Sequence, residues 1–330
     1  MTRRLTVALT DSTFTRPLLD GRARIAGVDP TMLAYHPSEL FWRQLHFAEF
    51  DVFEASLSTC FRLASLDDRR FVALPVFTTR TLCHLGIVVG ERSGIESPAD
   101  LRGRKIGVPE YQQTSAVWSR GVLQHDFGVD PADVHWVMER GAAHSHGAAT
   151  DFRPPEGVRV DVMSPEENIG TLLAEDYLAG SLLYLSEKNL VDRSPERSEA
   201  DLRVRRLFDP ETERARYLAG GTGLHATHCV AVRRELAEEL PWLVLNLYSA
   251  FTEAKAAVLA EAAKSFEPWR LLDPATADAT RRLAATDPVP YGMAANRTML
   301  DRLGQYVAEQ GIAVRKVSLD EVFAPQTLDL

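Results

Sequence analysis

Lys105-Ile106-Gly107-Val108-Pro109-Glu110-Tyr111-Gln112-Gln113-Thr114-Ser115 passes from a β-forming run through a short loop to a helix start. Its first four residues read as a strand. Ser115 to Phe127 reads as a helix with Ala116, Val117, Val122 and Leu123 facing inward. A strand that feeds straight into a helix is the unit of an α/β layer fold. Free backbone N–H groups at such a helix start attract anions, carboxylates included. Thr114 and Ser115 add hydroxyl donors, Glu110 an ionisable group and Tyr111 an aromatic wall. The plain alternative is a helix cap with Glu110 in solvent.

The same alternation continues in both directions. Towards the N-terminus, Leu5 to Leu9, Asp51 to Ala55, Phe71 to Val76 and Leu85 to Val89 read as strands. Pro37 to Phe47 and Ser58 to Leu66 read as helices. Pro98 to Gly103 reads as a helical turn closed by glycine. Beyond Phe127, Val134 to Val137, Val158 to Val162 and Leu182 to Leu185 read as strands, and Ile169 to Leu178 as a helix. Ala142 to Pro155 reads as a loop and Ser186 to Arg206 as a polar surface excursion. A strand pattern returns at His228 to Val232. Helices follow at Pro241 to Ala263, Pro274 to Ala285 and Ala294 to Gln310. This return predicts two α/β lobes, residues 1–95 with 220–330 in one and 96–219 in the other. A ligand cleft is expected between them.

The composition fits a soluble globular chain: 330 residues, 45% hydrophobic and 25% charged. A net charge of −9 argues against nucleic acid or an anionic membrane as partner, but not against a small anion met by a local arginine. No run approaches the roughly 18 apolar residues of a membrane span. The apolar stretch after Arg3-Arg4 ends at Thr10-Asp11, too early for a secretory signal. The three cysteines, Cys60, Cys83 and Cys229, form no Cys-x-x-Cys pair, so a reducing compartment is expected. Together these features predict a cytoplasmic protein, and they are compatible with a homo-oligomer.

Four further clusters can carry chemistry. Thr78 to His84 holds Arg80, which can clamp a carboxylate with two parallel hydrogen bonds or lie on a crossover loop as a surface residue. His84 alone reads as structural. Gly220 to His228 turns into a strand on which His225 and His228 point to opposite faces. Pro288 to Met293 brings Tyr291, followed by Asn296 and Arg297 at a helix start. Glu54 to Thr59 ends a strand at a helix start, another place for anion contacts. His144-Ser145-His146 reads as a solvated loop. The sequence has no Gly-x-Ser-x-Gly, no P-loop and no Gly-x-Gly-x-x-Gly motif. No metal site and no organic cofactor are expected.

Several segments share a resemblance: Phe50 to Ser58, Ala73 to Phe77, Gly103 to Gln112, and Val117-Trp118-Ser119-Arg120-Gly121-Val122-Leu123. So do Pro290-Tyr291-Gly292 with Asn296-Arg297, and Glu321-Val322-Phe323-Ala324-Pro325. In that order, over nearly the whole chain, they resemble the 4,5-dihydroxyphthalate decarboxylase family. The resemblance implies a two-lobed α/β architecture of the type II periplasmic-binding-protein-like fold. It also implies a pocket built from Ser58, Arg80, His84, Glu110, Tyr111, Gln112, Thr114, His228 and Tyr291. The chain departs from the family at Gly180-Ser181-Leu182-Leu183-Tyr184, where an acidic residue is missing, at Ser186-Glu187-Lys188, and at the His144-Ser145-His146 loop.

The function so implied is decarboxylation of a small anionic hydroxylated aromatic acid, such as 4,5-dihydroxyphthalate giving 3,4-dihydroxybenzoate. Expelling carbon dioxide from an arene leaves a costly aryl carbanion. A para hydroxyl lets the ring carbon be protonated first. His228 or His84 is the expected acid, Glu110 the expected base, and Arg80 with the helix start at Thr114 the expected clamps. The alternatives are a cytoplasmic aromatic-acid-binding protein and a relative catalysing another lyase or isomerase step in biosynthesis.

Overall fold

Runs rich in β-branched and aromatic residues form the strands, and the order in which they pair divides the chain. The computed structural model describes residues 2–185, 189–194, 200–221, 223–265, 268 and 272–330. The chain opens with β1 (Arg3–Leu9), β2 (Val28–Ala34), β3 (Val52–Ser56) and β4 (Phe71–Thr81). It crosses to a second sheet with β5 (Val88–Gly90), β6 (Lys105–Val108), β7 (His135–Met138), β8 (Val160–Val162), β9 (Gly180–Ser181) and β10 (Val204–Arg206). It then returns as β11 (His225–Arg233). The first sheet has the order β2-β1-β3-β11-β4 and the second β10-β5-β9-β6-β7-β8. β1 pairs parallel with β2 and β3, whereas β11 runs antiparallel between β3 and β4. His228 lies opposite Ser56 on one side and Thr79 on the other, and the ladder to β4 is irregular on both sides of it.

Alternation along the strands sorts the first sheet's side chains into two cores. Val7, Val52, Leu74, Val230 and Val232 pack with Leu243, Leu247 and Phe251 of the helix Pro241–Ser265. By length and composition alone that helix could cross a membrane. One face of it is instead covered by the sheet. On the other side Phe53, Ala55, Ala73 and Ala231 belong to a core that continues into the second lobe through Tyr111, Trp118 and Trp136. The helix Arg297–Glu309 packs on both the helix Leu57–Ser65 and the helix Thr114–Phe127, so it braces the two lobes.

Several elements differ from the sequence reading. β4 runs on to Thr81, so Thr78 to Thr81 are strand rather than crossover loop. β5 already belongs to the second sheet, which moves the crossover ahead of residue 88. β2, with Pro30 on the sheet's outermost strand, was masked by the proline, which is tolerated only at such an edge. Leu182 to Leu185 is not strand, because pairing stops at Ser181. β10 arises at the end of the stretch read as a polar excursion, Ser186 to Arg206, and the helix Pro210–Ala219 follows in a stretch to which no element was assigned. β11 starts at His225, three residues before the predicted strand.

Gly121 marks the closest approach of the brace. A Cβ there would lie 2.0 Å from the Tyr306 ring. Gly121→Ala should therefore destabilise the protein by about 1–3 kcal/mol through overpacking, despite alanine's better helix propensity. Urea unfolding followed by circular dichroism checks this, and an unchanged midpoint would show that the two helices separate freely.

Candidate active site

Three helices begin at one place. Pro37–Phe47, Leu57–Ser65 and Thr114–Phe127 direct their N-terminal ends at a cavity of about 210 Å³ between the lobes. From the first lobe the walls are Ser38, Phe41, Ser56, Thr79, Thr227 and His228. The second lobe supplies Gln113, Thr114, Ser115, Arg140, His146, Leu183 and Leu185. A buried knot of hydroxyls ties the floor. The Ser58 backbone N–H donates to Thr114 Oγ1 at 3.0 Å, and Thr114 Oγ1 lies 2.9 Å from both Ser56 Oγ and Ser58 Oγ. Ser58 Oγ donates to the Gln112 carbonyl at 2.7 Å. Beside this knot, Ser115 Oγ and Gln113 Oε1 are buried without a protein partner. A buried polar group without a partner costs about 1–3 kcal/mol, so both favour a polar ligand in the cavity.

His228 is the histidine of β11 that reaches the cavity. Its Nδ1–H donates to Glu54 Oε1 at 2.7 Å, and Glu54 Oε2 accepts the Thr10 backbone N–H at 3.0 Å. Glu54 is fully buried while the His228 side chain keeps 17% exposure. The carboxylate thus fixes the ring's tautomer and leaves Nε2 for a ligand. The Phe41 ring meets the imidazole edge-on at 4.8 Å.

Arg140 is the cation of the cavity wall. It donates to Asp192 at 2.8 Å and to Ser38 Oγ at 2.7 Å, and both ion-pair members are almost wholly buried. Burial works against Asp192 ionisation. Arg140, Ser38 and Asn189 outweigh it and hold the carboxyl below its ordinary range.

The remaining sequence candidates divide by position. Ser58, Gln112 and Thr114 sit together at the floor. Glu110 is fully buried behind it, where its carboxylate accepts from Ser145 Oγ at 3.1 Å and the His146 N–H at 3.0 Å. Burial pushes it above the ordinary carboxylate range, against the pull of Arg140. It fastens a loop and lies outside the cavity lining, so neither a solvated cap nor direct contact with a ligand describes it. Tyr111 is a core residue stacked on Phe152, with the Arg120 guanidinium 3.7 Å over its ring.

Arg80 and Tyr291 lie together in the first lobe, away from the cavity lining. Arg80 donates to the carbonyls of Pro290 at 2.8 Å and Leu224 at 3.3 Å, and to Asn296 Oδ1. Burial brings its guanidinium down to about 10. Tyr291 packs under Lys255, whose Nζ lies 3.8 Å from the ring centre. His84 is buried against Phe208, Tyr217 and His225 and contacts Glu213 at 3.0 Å. Burial lowers its basicity. His225 stacks on Trp118 at 4.2 Å and bonds the Tyr217 hydroxyl at 2.7 Å.

The loop after β7 corrects the reading of solvated histidines. His146 is 3% exposed and lines the cavity. Its Nε2–H donates to the Ser38 carbonyl at 3.1 Å, which leaves Nδ1 bare. Burial, then Arg140, brings its pKa down to about 3. Arg140, Asp192, His146 and the Glu54–His228 pairing carry no sequence signature as a site, because their partners are distant in sequence. The Gly/Ala composition around His146 mimics an open loop. Ser186-Glu187-Lys188 lies outside the described residues. Among those described, no three His, Cys, Asp or Glu side chains come together as a metal-ligand set.

Comparison with known proteins places this cleft in context. Residues 74–195 match the NMT1/THI5-like family. A 4,5-dihydroxyphthalate decarboxylase of Comamonas testosteroni is 32% identical over 98% of this chain and 97% of its own. One of Pseudomonas putida is 37% identical over 53% of this chain and 67% of its own. The alkanesulfonate-binding protein SsuA of Xanthomonas axonopodis pv. citri superposes with a TM-score of 0.57. It is 15% identical, with 98% of this chain and 97% of that one covered. That likeness confirms the periplasmic-binding-protein-like fold.

Buried His146 makes stability depend on pH. It stays neutral in the fold down to about pH 3, whereas its ordinary value is 6.5. Between these values the unfolded chain holds the extra proton, so this contribution is complete above pH 6.5 and is lost as pH falls towards 3. Urea midpoints of the wild type should fall over that window more steeply than those of His146→Gln. Parallel curves would mean the ring is not buried neutral.

Proposed function

Because the chain belongs to the 4,5-dihydroxyphthalate decarboxylase family, we propose that the cleft removes one carboxylate from a dihydroxyphthalate-type aromatic acid as carbon dioxide. The observation that carries this reading is the buried Glu54 on Nδ1 of one cavity histidine, His228. In this reading the spectator carboxylate lies on the helix start at Gln113 to Ser115, taking up the Ser115 hydroxyl. Arg140 contributes positive charge from the wall. His228 Nε2 delivers a proton to the ring carbon that bears the second carboxylate, para to a ring hydroxyl. As that hydroxyl becomes a carbonyl, its proton passes to water in the open cleft, which relieves the positive charge generated by ring protonation. The carbon–carbon electron pair then returns to the ring, carbon dioxide departs, and the hydroxyl is reprotonated. Overall a carboxylate and one proton become a C–H bond and carbon dioxide.

The bare Nδ1 of His146 suits it to accept a hydrogen bond from a ring hydroxyl. Its low basicity keeps it from taking the proton outright. Glu110, the base expected from sequence, serves in this reading to hold the His146 loop. Since that loop is also a departure from the family pattern, it is where a different pattern of ring hydroxyls would be read.

The reading is tested by incubating the purified protein with a panel of hydroxylated benzene dicarboxylates. Carbon dioxide release together with the ultraviolet change of decarboxylation supports it. Binding with no release from any of them favours the aromatic-acid-binding alternative. His228→Ala should lower kcat by about 10²–10⁴-fold with circular dichroism unchanged. Glu54→Gln leaves His228 without the carboxylate that orients its ring, so kcat should fall with phthalate affinity by calorimetry unchanged. Ser115→Ala should weaken phthalate binding about two- to tenfold, the worth of one neutral hydrogen bond, by calorimetry.

A further inference from the structure

A second, much smaller cavity adjoins the cleft. It has a volume of about 40 Å³ and shares two walls with the cleft, Phe41 and Ser56. From there it lies between the first sheet and the helix Leu57–Ser65, against Ala55 of β3, Ala73 of β4 and Ala231 of β11, with Cys60 and Leu63 opposite. Ala231 lies in register with Ala73. Strands ordinarily carry larger β-branched residues, so alanines here on β3, β11 and the edge strand β4 leave the gap that the helix does not fill. The far end is bounded by Asp68, Arg69, Arg234 and Glu321, of which Arg69 is exposed to solvent.

We infer that this crevice is the exit for carbon dioxide, running from the cleft at Phe41 to the surface beside Arg69. The inference rests on the decarboxylase reading. Its argument is one of size and polarity. A water-sized sphere occupies roughly 10–15 Å³ by this measure, so about 40 Å³ admits roughly three atoms in a row, the length of carbon dioxide. An aromatic dicarboxylate cannot enter. Water requires two to four polar partners to be held. Away from its charged end the crevice is lined mainly by Phe53, Ala55, Leu63, Ala73 and Ala231, with Gln44 and Thr59 as polar walls, and the Gln44 amide is already taken up by the Phe50 backbone. Carbon dioxide carries no net dipole and needs no such partners. Phe41 stands at the junction, its ring against His228. The carbon dioxide is released where His228 delivers the proton, so Phe41 is the first side chain it meets on leaving. Departure by this path lets it leave while the aromatic product still fills the cleft, before the bond can re-form.

Two measurements test the passage, one of them independent of activity. Crystals of the wild-type protein pressurised with xenon should show an atom between Cys60 and Ala73, since dry apolar cavities take up xenon. Xenon bound only elsewhere overturns the passage and leaves the decarboxylase reading untouched. Ala73→Leu closes the crevice at mid-length, and Ala64→Leu, on the half-buried outer part of the helix, is the substitute if the first fails to fold. In either folded variant, kcat should fall about three- to tenfold with phthalate affinity unchanged, and less label from added ¹³CO₂ should reach unreacted substrate than in the wild type, since a closed passage impedes entry as much as exit. Wild-type turnover and wild-type label return in both variants overturn the passage. If the wild type itself releases no carbon dioxide from any substrate in the panel, the decarboxylase reading fails, and the exit role with it.

Discussion

The hydroxyl knot of Ser56, Ser58 and Thr114 decides how the two lobes meet. All three residues are buried, and each hydrogen bond joins the start of a first-lobe helix to the start of a second-lobe helix. Leaving those groups unpaired would cost about 1–3 kcal/mol each, so the lobes are held in the one arrangement that satisfies them. The arrangement has a chemical consequence. It turns two sets of free backbone N–H groups towards the same small volume, where the positive ends of both helices favour an anion. Gln113 and Ser115, on either side of Thr114, line that volume and carry buried polar atoms without a protein partner.

The return strand supplies what the helix starts cannot. β11 enters the first sheet between β3 and β4, and its register sets His228 opposite Ser56. The pairing with β3 is regular here, so alternation places His228 on the same face as Glu54, one step along the ladder from its partner Val230, while the side chain borders the cavity. Other histidines of the chain show that residue type alone confers nothing. His84 and His225 are enclosed by aromatic rings, where burial makes them poor proton carriers. His146 reaches the cavity but is kept neutral by burial and by Arg140. His228 combines a buried carboxylate on one nitrogen with partial exposure on the other side of the ring. That combination, an oriented ring with an open edge, is what the proposed role asks of it.

Much of this was legible in the sequence because it is local. The step from Lys105-Ile106-Gly107-Val108 into the helix after Gln113, and the return of a strand at His228 followed by helices, follow from periodicity and turn chemistry over a dozen residues. Ser58, Thr114 and His228 could be singled out because they stand at such junctions. Arg80 was misplaced for a local reason as well. Strand β4 outlasts its apolar run by several residues, and the pairing with β11 that sustains it cannot be seen from β4 itself.

What only the tertiary structure decided is which groups face one another. Glu54 and His228 are 174 residues apart, and Arg140 and Asp192 are 52 apart. No local pattern links such pairs. Whether Glu110 and His146 are solvated or buried depends on the packing of a loop against the floor of a cleft formed by the other lobe. The sequence determined the units and which face of each is apolar, since backbone geometry and the transfer of apolar groups from water act residue by residue. Partners, burial and protonation were set by the closing of the two lobes. A side chain's electrostatics depend on everything within a few ångströms, and the chain's own order does not specify those neighbours.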